Sequence, residues 1–267
     1  MSRVFRRNAT LAACVICVVA AAAFAAPQNE EQTQTPPVAE SLPSAGPAVL
    51  APFVASYQAY NAGSLAGSAV MRLVKRGGDL WRIDLDVKAD AGVAGLAGVT
   101  MQQSTAFRSD DGLSYLPLGQ STVRSAVFSK KKATGVYDWT SHLARWSGDV
   151  KDTRKAPVSL QNGDLSTLLL NLAVIRDAQP GRNLNYRLVD DGRARQHAYA
   201  VAGQNENIAV GELSYDALRV TRTNGGNDET IMWVASGVPT PVRILQREDG
   251  KDKLDLRLVQ YQGASAQ

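Results

Sequence analysis

The chain has 267 residues, of which 45% are hydrophobic and 20% charged, with a formal net charge of +4 and two cysteines. So mild a positive excess excludes the broad basic footprint of a nucleic-acid binder. Both cysteines, Cys14 and Cys17, fall in an N-terminal apolar run, so the rest of the chain has no thiol and must be held together by its hydrophobic core.

At the N-terminus, Arg3, Arg6 and Arg7 precede an apolar run from Leu11 to Ala26, and Ala23-Phe24-Ala25 has the small-residue pattern of a cleavage site. Residues 1–25 are predicted to be a secretory signal peptide, removed after Ala25 to give a periplasmic protein. Leu11-Ala12-Ala13-Cys14 has lipobox-like residue types, but most of the apolar run follows the cysteine, which is the wrong order for a lipoprotein signal. A bilayer span needs roughly 20 apolar residues, so the run is too short to be a retained anchor and the processed protein is not expected to cross the membrane.

Residues 26–51 are rich in Pro, Gln, Glu and Ser. Such a segment buries too little apolar surface to offset its ordering entropy, and it reads as a disordered linker. From residue 52 to 263 the pattern becomes that of a single antiparallel β domain. In the stretch from Asp79 to Asp90, Trp81, Ile83, Leu85 and Val87 alternate with Arg82, Asp84, Asp86 and Lys88, which gives a strand with one dry and one wet face. Similar segments are predicted near 100–109, 120–128, 134–139, 142–147, 184–190, 195–202, 213–222, 229–235, 241–248 and 253–261. Residues 91–98, with three glycines and no lysine, read as an apolar bend. Lys130-Lys131-Lys132 reads as an exposed turn between strands.

The segment from Asn162 to Gly181 has the helical period instead. Leu165, Leu168, Leu169, Leu172 and Ile175 form an apolar stripe, and Leu170, Ala173 and Val174 widen it nearly all round. Asp164 is the predicted N-cap, Arg176 places a cation near the C-terminal end and Pro180-Gly181 ends the element. A helix this apolar must be buried on most sides, so it is expected to pack in the concavity of the sheet as core, or as a lid over an apolar cavity.

Few residues carry recognisable chemistry. Asp110-Asp111 and Asp190-Asp191 each precede a glycine between strands, where Asp accepts local backbone hydrogen bonds and Gly supplies positive φ, so both pairs read as turns. Asp138 and Asp149, with Trp139 and Trp146 between them, could act on a glycan if both carboxylates faced one cleft, but the same stretch also reads as two strands with tryptophans filling a sheet face. His142 and His197 lie far apart with no ligand motif beside either, so no metal is expected. The sequence contains neither a phosphate loop with its lysine nor a serine at nucleophile-elbow spacing, and no cofactor is expected.

Several landmarks in order along the chain resemble the exported bacterial family called domain of unknown function 3108. They are Phe53-Val54-Ala55-Ser56-Tyr57, Asp111-Gly112-Leu113 with Pro117, and Tyr137-Asp138-Trp139. Gly163-Asp164-Leu165-Ser166 through Arg176, Trp233 and Pro241-Val242-Arg243 complete the set. The resemblance runs from about Phe53 to Tyr261 and implies export and fold but no activity.

The fold expected is therefore all-β with minor α: a strongly twisted antiparallel sheet or incomplete barrel with one principal helix packed in its concavity. By fold alone this is similar to the half-barrels of periplasmic lipoprotein carriers. The leading functional expectation is a non-catalytic envelope protein binding a lipid, an envelope precursor or another apolar or amphipathic ligand through Leu165, Leu168, Leu169, Leu172, Trp139 and Trp146. The alternative is a scaffold module of cell-envelope assembly that binds an envelope protein through exposed strand edges.

Overall fold

A computed structural model of the chain describes residues 50–90, 99–126 and 128–263. The signal peptide, nearly all of the predicted linker and the predicted bend at 91–98 lie outside the described residues.

The chain first forms β1 (Phe53–Asn61), β2 (Ser64–Gly77), β3 (Leu80–Ala89), β4 (Thr100–Arg108), β5 (Leu116–Ala126), β6 (Ser129–Asp138), β7 (Leu143–Gly148) and β8 (Val158–Ser159). Helix α1 (Thr167–Asp177) follows, and then β9 (Asn183–Asp190), β10 (Arg193–Val201), β11 (Glu206–Val210), β12 (Leu213–Arg222), β13 (Asp228–Ala235), β14 (Arg243–Glu248) and β15 (Lys251–Gly263). The strands form one antiparallel sheet in the order β8-β7-β6-β5-β4-β3-β2-β1-β15-β14-β13-β12-β10-β9, with β11 beside β12. The first and last strands pair with each other in the middle of the sheet, so its free ends, β8 and β9, flank the helix in sequence. The result is the expected fold, a nearly closed barrel-like sheet with one helix.

Side chains and a short parallel bridge tie the two ends together. Leu165 N–H donates to Arg187 O at 3.0 Å and Val189 N–H to Leu165 O at 2.9 Å. Tyr137 Oη donates to Val189 O at 2.5 Å, Gln120 donates to Asp190, and Arg154 pairs with Asp191.

The helix lies against β3, β4 and β9, and its leucines join the main core with Phe53, Tyr57, Met71, Ile83, Leu188 and Leu256. Its start differs from the sequence expectation. Leu165 is held extended on β9, so the helix begins only at Thr167, and Ser166 is the N-cap, its hydroxyl accepting from Leu169 N–H at 3.4 Å. Asp164 is instead a buried partner of Arg187 at 2.6 Å and accepts from Gln161 N–H at 2.8 Å.

Two further differences concern strands. Ser64–Gly77 does not stand out in the sequence, because Val70 and Val74 put apolar side chains on the face opposite Ala69, Met71 and Leu73 and blur the two-residue period. The three lysines at 130–132 belong to β6, where pairing with Ser125, Arg124 and Val123 completes their backbone ladder. No helix among the described residues is long and apolar enough to cross a membrane.

Candidate functional site

Strand parity fixes which side chains face inward. On β1 to β3 the inward positions are dry: Phe53, Tyr57, Met71, Leu73, Trp81 and Ile83 are all buried. Following the same face across the ladder, Ile83 opposes Thr105, Thr105 opposes Gln120, and Gln120 opposes Gly135. Inward parity on β4 and β5 thus brings Gln103, Thr105, Gln120, Thr122 and Arg124, where a uniform core would have aliphatic residues. The inner face changes from apolar to polar, and near the start of α1 it borders an open pocket of about 270 Å³.

A hydrogen-bonded chain shapes that pocket. The single Tyr137 O–H is shared between Val189 O and Gln120 Oε1, 2.6 Å away, the Gln120 amide donates to Asp190, and Thr167 Oγ1 donates to the other Asp190 oxygen. Beside it, the Thr105 and Ser166 hydroxyls share a bond of 2.9 Å. Burial first, then the charges of Asp190 and Asp164, hold the Tyr137 phenol well above its ordinary pKa, so it stays a protonated donor. Gly135 makes room for the next strand: a Cβ there would lie 2.6 Å from Trp146 Nε1. Trp146 is therefore buried against the sheet with its ring edge-on to Tyr137, and its indole N–H, without a hydrogen-bond partner, belongs to a side chain lining the pocket.

The six residues expected from sequence separate into two groups. Leu165, Leu168, Leu169 and Leu172 share the main core. Leu172 borders a crevice of about 30 Å³ with Phe53, Leu73 and Tyr115, and Leu168 borders one of about 10 Å³, spaces on the scale of a single water. Trp146 and Trp139 belong to a second cluster with Tyr137, Leu160 and Val189, and Trp139 donates to Pro117 O at 2.6 Å. The polar inward residues cannot be told from solvent-facing ones in the sequence alone. Their signal is polar side chains at core parity on β4 and β5, readable only once those strands are registered against β3.

The structure does not bring Asp138 and Asp149 together. Asp138 sits at the β6–β7 turn, accepting from Thr140 N–H, Ser141 N–H and Ser141 Oγ, and the Ser141 bonds hold its carboxyl below the ordinary value. Asp149 lines the pocket and accepts from Lys132 N–H at 2.7 Å. Asp191 and Gly192 do adopt the positive φ of a tight turn, yet the adjacent Asp190 turns its carboxylate into the pocket. Among the described residues no three His, Cys, Asp or Glu side chains group as a metal site would require.

His197 lies on β10, only 9% exposed, with Nδ1 3.3 Å from Tyr199 Oη and Nε2 unpartnered. Burial, then Arg222 and Arg195, lower its pKa to about 4. An unfolded imidazole titrates near 6.5. Between these values the unfolded chain takes up a proton that the folded protein refuses, so the stability is fully present above about pH 6.5 and is lost as pH falls towards 4. Each pKa unit corresponds to about 1.4 kcal/mol before screening, so wild type is expected to lose on the order of 1–2 kcal/mol more than His197→Gln between pH 7 and pH 4.5. Urea unfolding at the two pH values checks this, and parallel losses would contradict it.

A search of the curated proteins finds no match. Among solved structures, the fold is similar to a beta-barrel-like protein of domain of unknown function DUF1849 from Brucella abortus. The TM-score is 0.43 at 12% identity, covering 82% of this chain and 100% of the other. It is also similar to a DUF1089 family protein from Pseudomonas aeruginosa, with a TM-score of 0.34 at 10% identity, covering 65% and 87%. The family model described as protein of unknown function DUF3108 matches residues 56–257. That match spans β1 to β15 and takes in every element around the pocket, and the chain belongs to that family.

Proposed function

We propose that the protein is a non-catalytic binding module of the cell envelope that receives the polar end of an amphipathic ligand in the pocket between β4–β7 and the start of α1. The observation that carries this reading is the change of one continuous inner face from apolar on β1–β3 to polar on β4–β6, with about 270 Å³ open at the polar end. Small-molecule sites combine apolar walls with a few convergent polar groups, and here Gln103, Gln120, Thr122 and Asp190 are those groups. The leader with its three arginines, apolar run and A-x-A pattern supports delivery to the periplasm. Asp138 and Asp149 offer no paired acid and base in one cleft, which favours binding over glycan chemistry.

Native mass spectrometry of the protein isolated from its own host's envelope tests the proposal. Wild type should carry a small molecule that is lost from Thr122→Trp, a variant that fills the pocket while keeping the wild-type melting temperature. The same bound species in both proteins, or none in either, would contradict the reading.

A further inference from the structure

Resting on that pocket, we infer that Arg124, Lys131 and Arg195 form an oxyanion-recognition cluster at its rim, which selects ligands carrying a phosphate group.

All three side chains line the pocket. No carboxylate of the described residues lies within 4.0 Å of any of them. Three carboxylates share the pocket: Asp191 pairs with Arg154, whereas Asp190, bonded to Gln120 and Thr167, and Asp149, bonded to the Lys132 backbone, keep their charge, so the three cations are aimed at an anion seated on their side of the pocket. Arg124 and Lys131 are direct cross-strand partners in the β5–β6 ladder. Like charges directly opposite each other destabilise a sheet, and an anion seated between them would turn that repulsion into attraction. Arg195 approaches from β10 across the seam. Burial, then Arg193, lower its pKa, while the charge of Asp190 on the neighbouring strand raises it. A guanidinium presents paired donors that match tetrahedral oxyanions, the lysine adds a point charge, and the Trp146 side chain lines the same wall. The juxtaposition depends on the near-closure of the barrel, because β10 is distant along the sheet from the paired strands β5 and β6 and meets them only across the seam.

The test titrates the purified full chain with inorganic phosphate, with dihexanoyl phosphatidic acid below its micellar concentration, and with dihexanoylglycerol as the uncharged analogue. Binding is followed by the Trp146 indole N–H signal in nitrogen–proton NMR spectra and by isothermal calorimetry. Saturable binding of either phosphate compound is expected, weakened at least tenfold in Arg124→Gln/Lys131→Gln and in Arg195→Gln. Binding of inorganic phosphate alone would identify a free-phosphate site, and binding only of the lipid form would identify a headgroup site; both support the cluster. The double variant should melt no lower than wild type without ligand, because it removes a like-charge pair, which separates lost binding from lost fold. Equal affinity for the uncharged analogue, unchanged affinity in the variants, or no phosphate binding at all would overturn the inference. If the envelope-derived ligand is still lost from Thr122→Trp in that event, the binding-module reading stands and only the phosphate assignment fails.

Discussion

Asp255→Ala is expected to destabilise the protein by about 3–5 kcal/mol, the range for removing one partner of a buried ion pair. Asp255 is 2% exposed and lies between two arginines: Arg243 donates to it at 2.7 and 2.8 Å, and Arg257 at 2.9 Å. The cations are themselves held in place, Arg243 over the Trp233 ring at 4.9 Å and Arg257 over Tyr60 at 4.1 Å. Arg243 and Arg257 are cross-strand partners on β14 and β15. Deleting the carboxylate therefore leaves two facing cations, with no other carboxylate of the described residues paired to either. Asp255→Asn keeps the volume and removes only the charge, so most of the loss should persist in it. Urea unfolding should show a lower midpoint with an unchanged slope. A loss below about 1 kcal/mol would mean that the cluster behaves like a solvent-exposed pair.

The second large effect is expected at the helix. Leu169 is fully buried between helix and sheet, so Leu169→Ala should cost about 3–5 kcal/mol through lost contacts and the cavity left behind. Leu172 faces the crevice of about 30 Å³, where some packing is already absent, and Leu172→Ala should fall near the lower end, about 2–3 kcal/mol. Ser166→Ala serves as the control, at roughly 1 kcal/mol for the N-cap. Equal losses at Leu169 and Leu172 would show that the crevice provides no slack. A loss below about 1 kcal/mol at Leu169 would show that the helix is not part of the core.

The landmark residues read from the sequence hold the fold together in ways their spacing does not reveal. Tyr57, on the first strand, shares a bond of 2.5 Å with Thr240 and donates to Pro241 O at 3.0 Å, pinning the β13–β14 connection to the barrel. Trp233 and Arg243 stack on each other beside Asp255, and Tyr137 bridges the seam to Val189. The residues that line the pocket lie mostly outside these landmarks.

Alternation of apolar and polar residues determined by itself that most of the chain would be antiparallel strand, as on β3, because side-chain direction in a strand depends only on position within it. The uniformly apolar run through Leu168, Leu169 and Leu172 likewise determined a buried helix, since no other placement keeps it from water. The helix start was beyond local reading: pairing of Leu165 with β9, a contact between distant residues, moved the cap from Asp164 to Ser166. The pocket was equally hidden. Gln103, Gln120 and Thr122 look like solvent-facing residues until register places them on the inner face, and Asp190 looks like half of a turn until the seam turns it inward. Local sequence sets which way a side chain points relative to its own strand. Only closure of the sheet decides which face is the inside, and which residues on β5, β6 and β10 meet there.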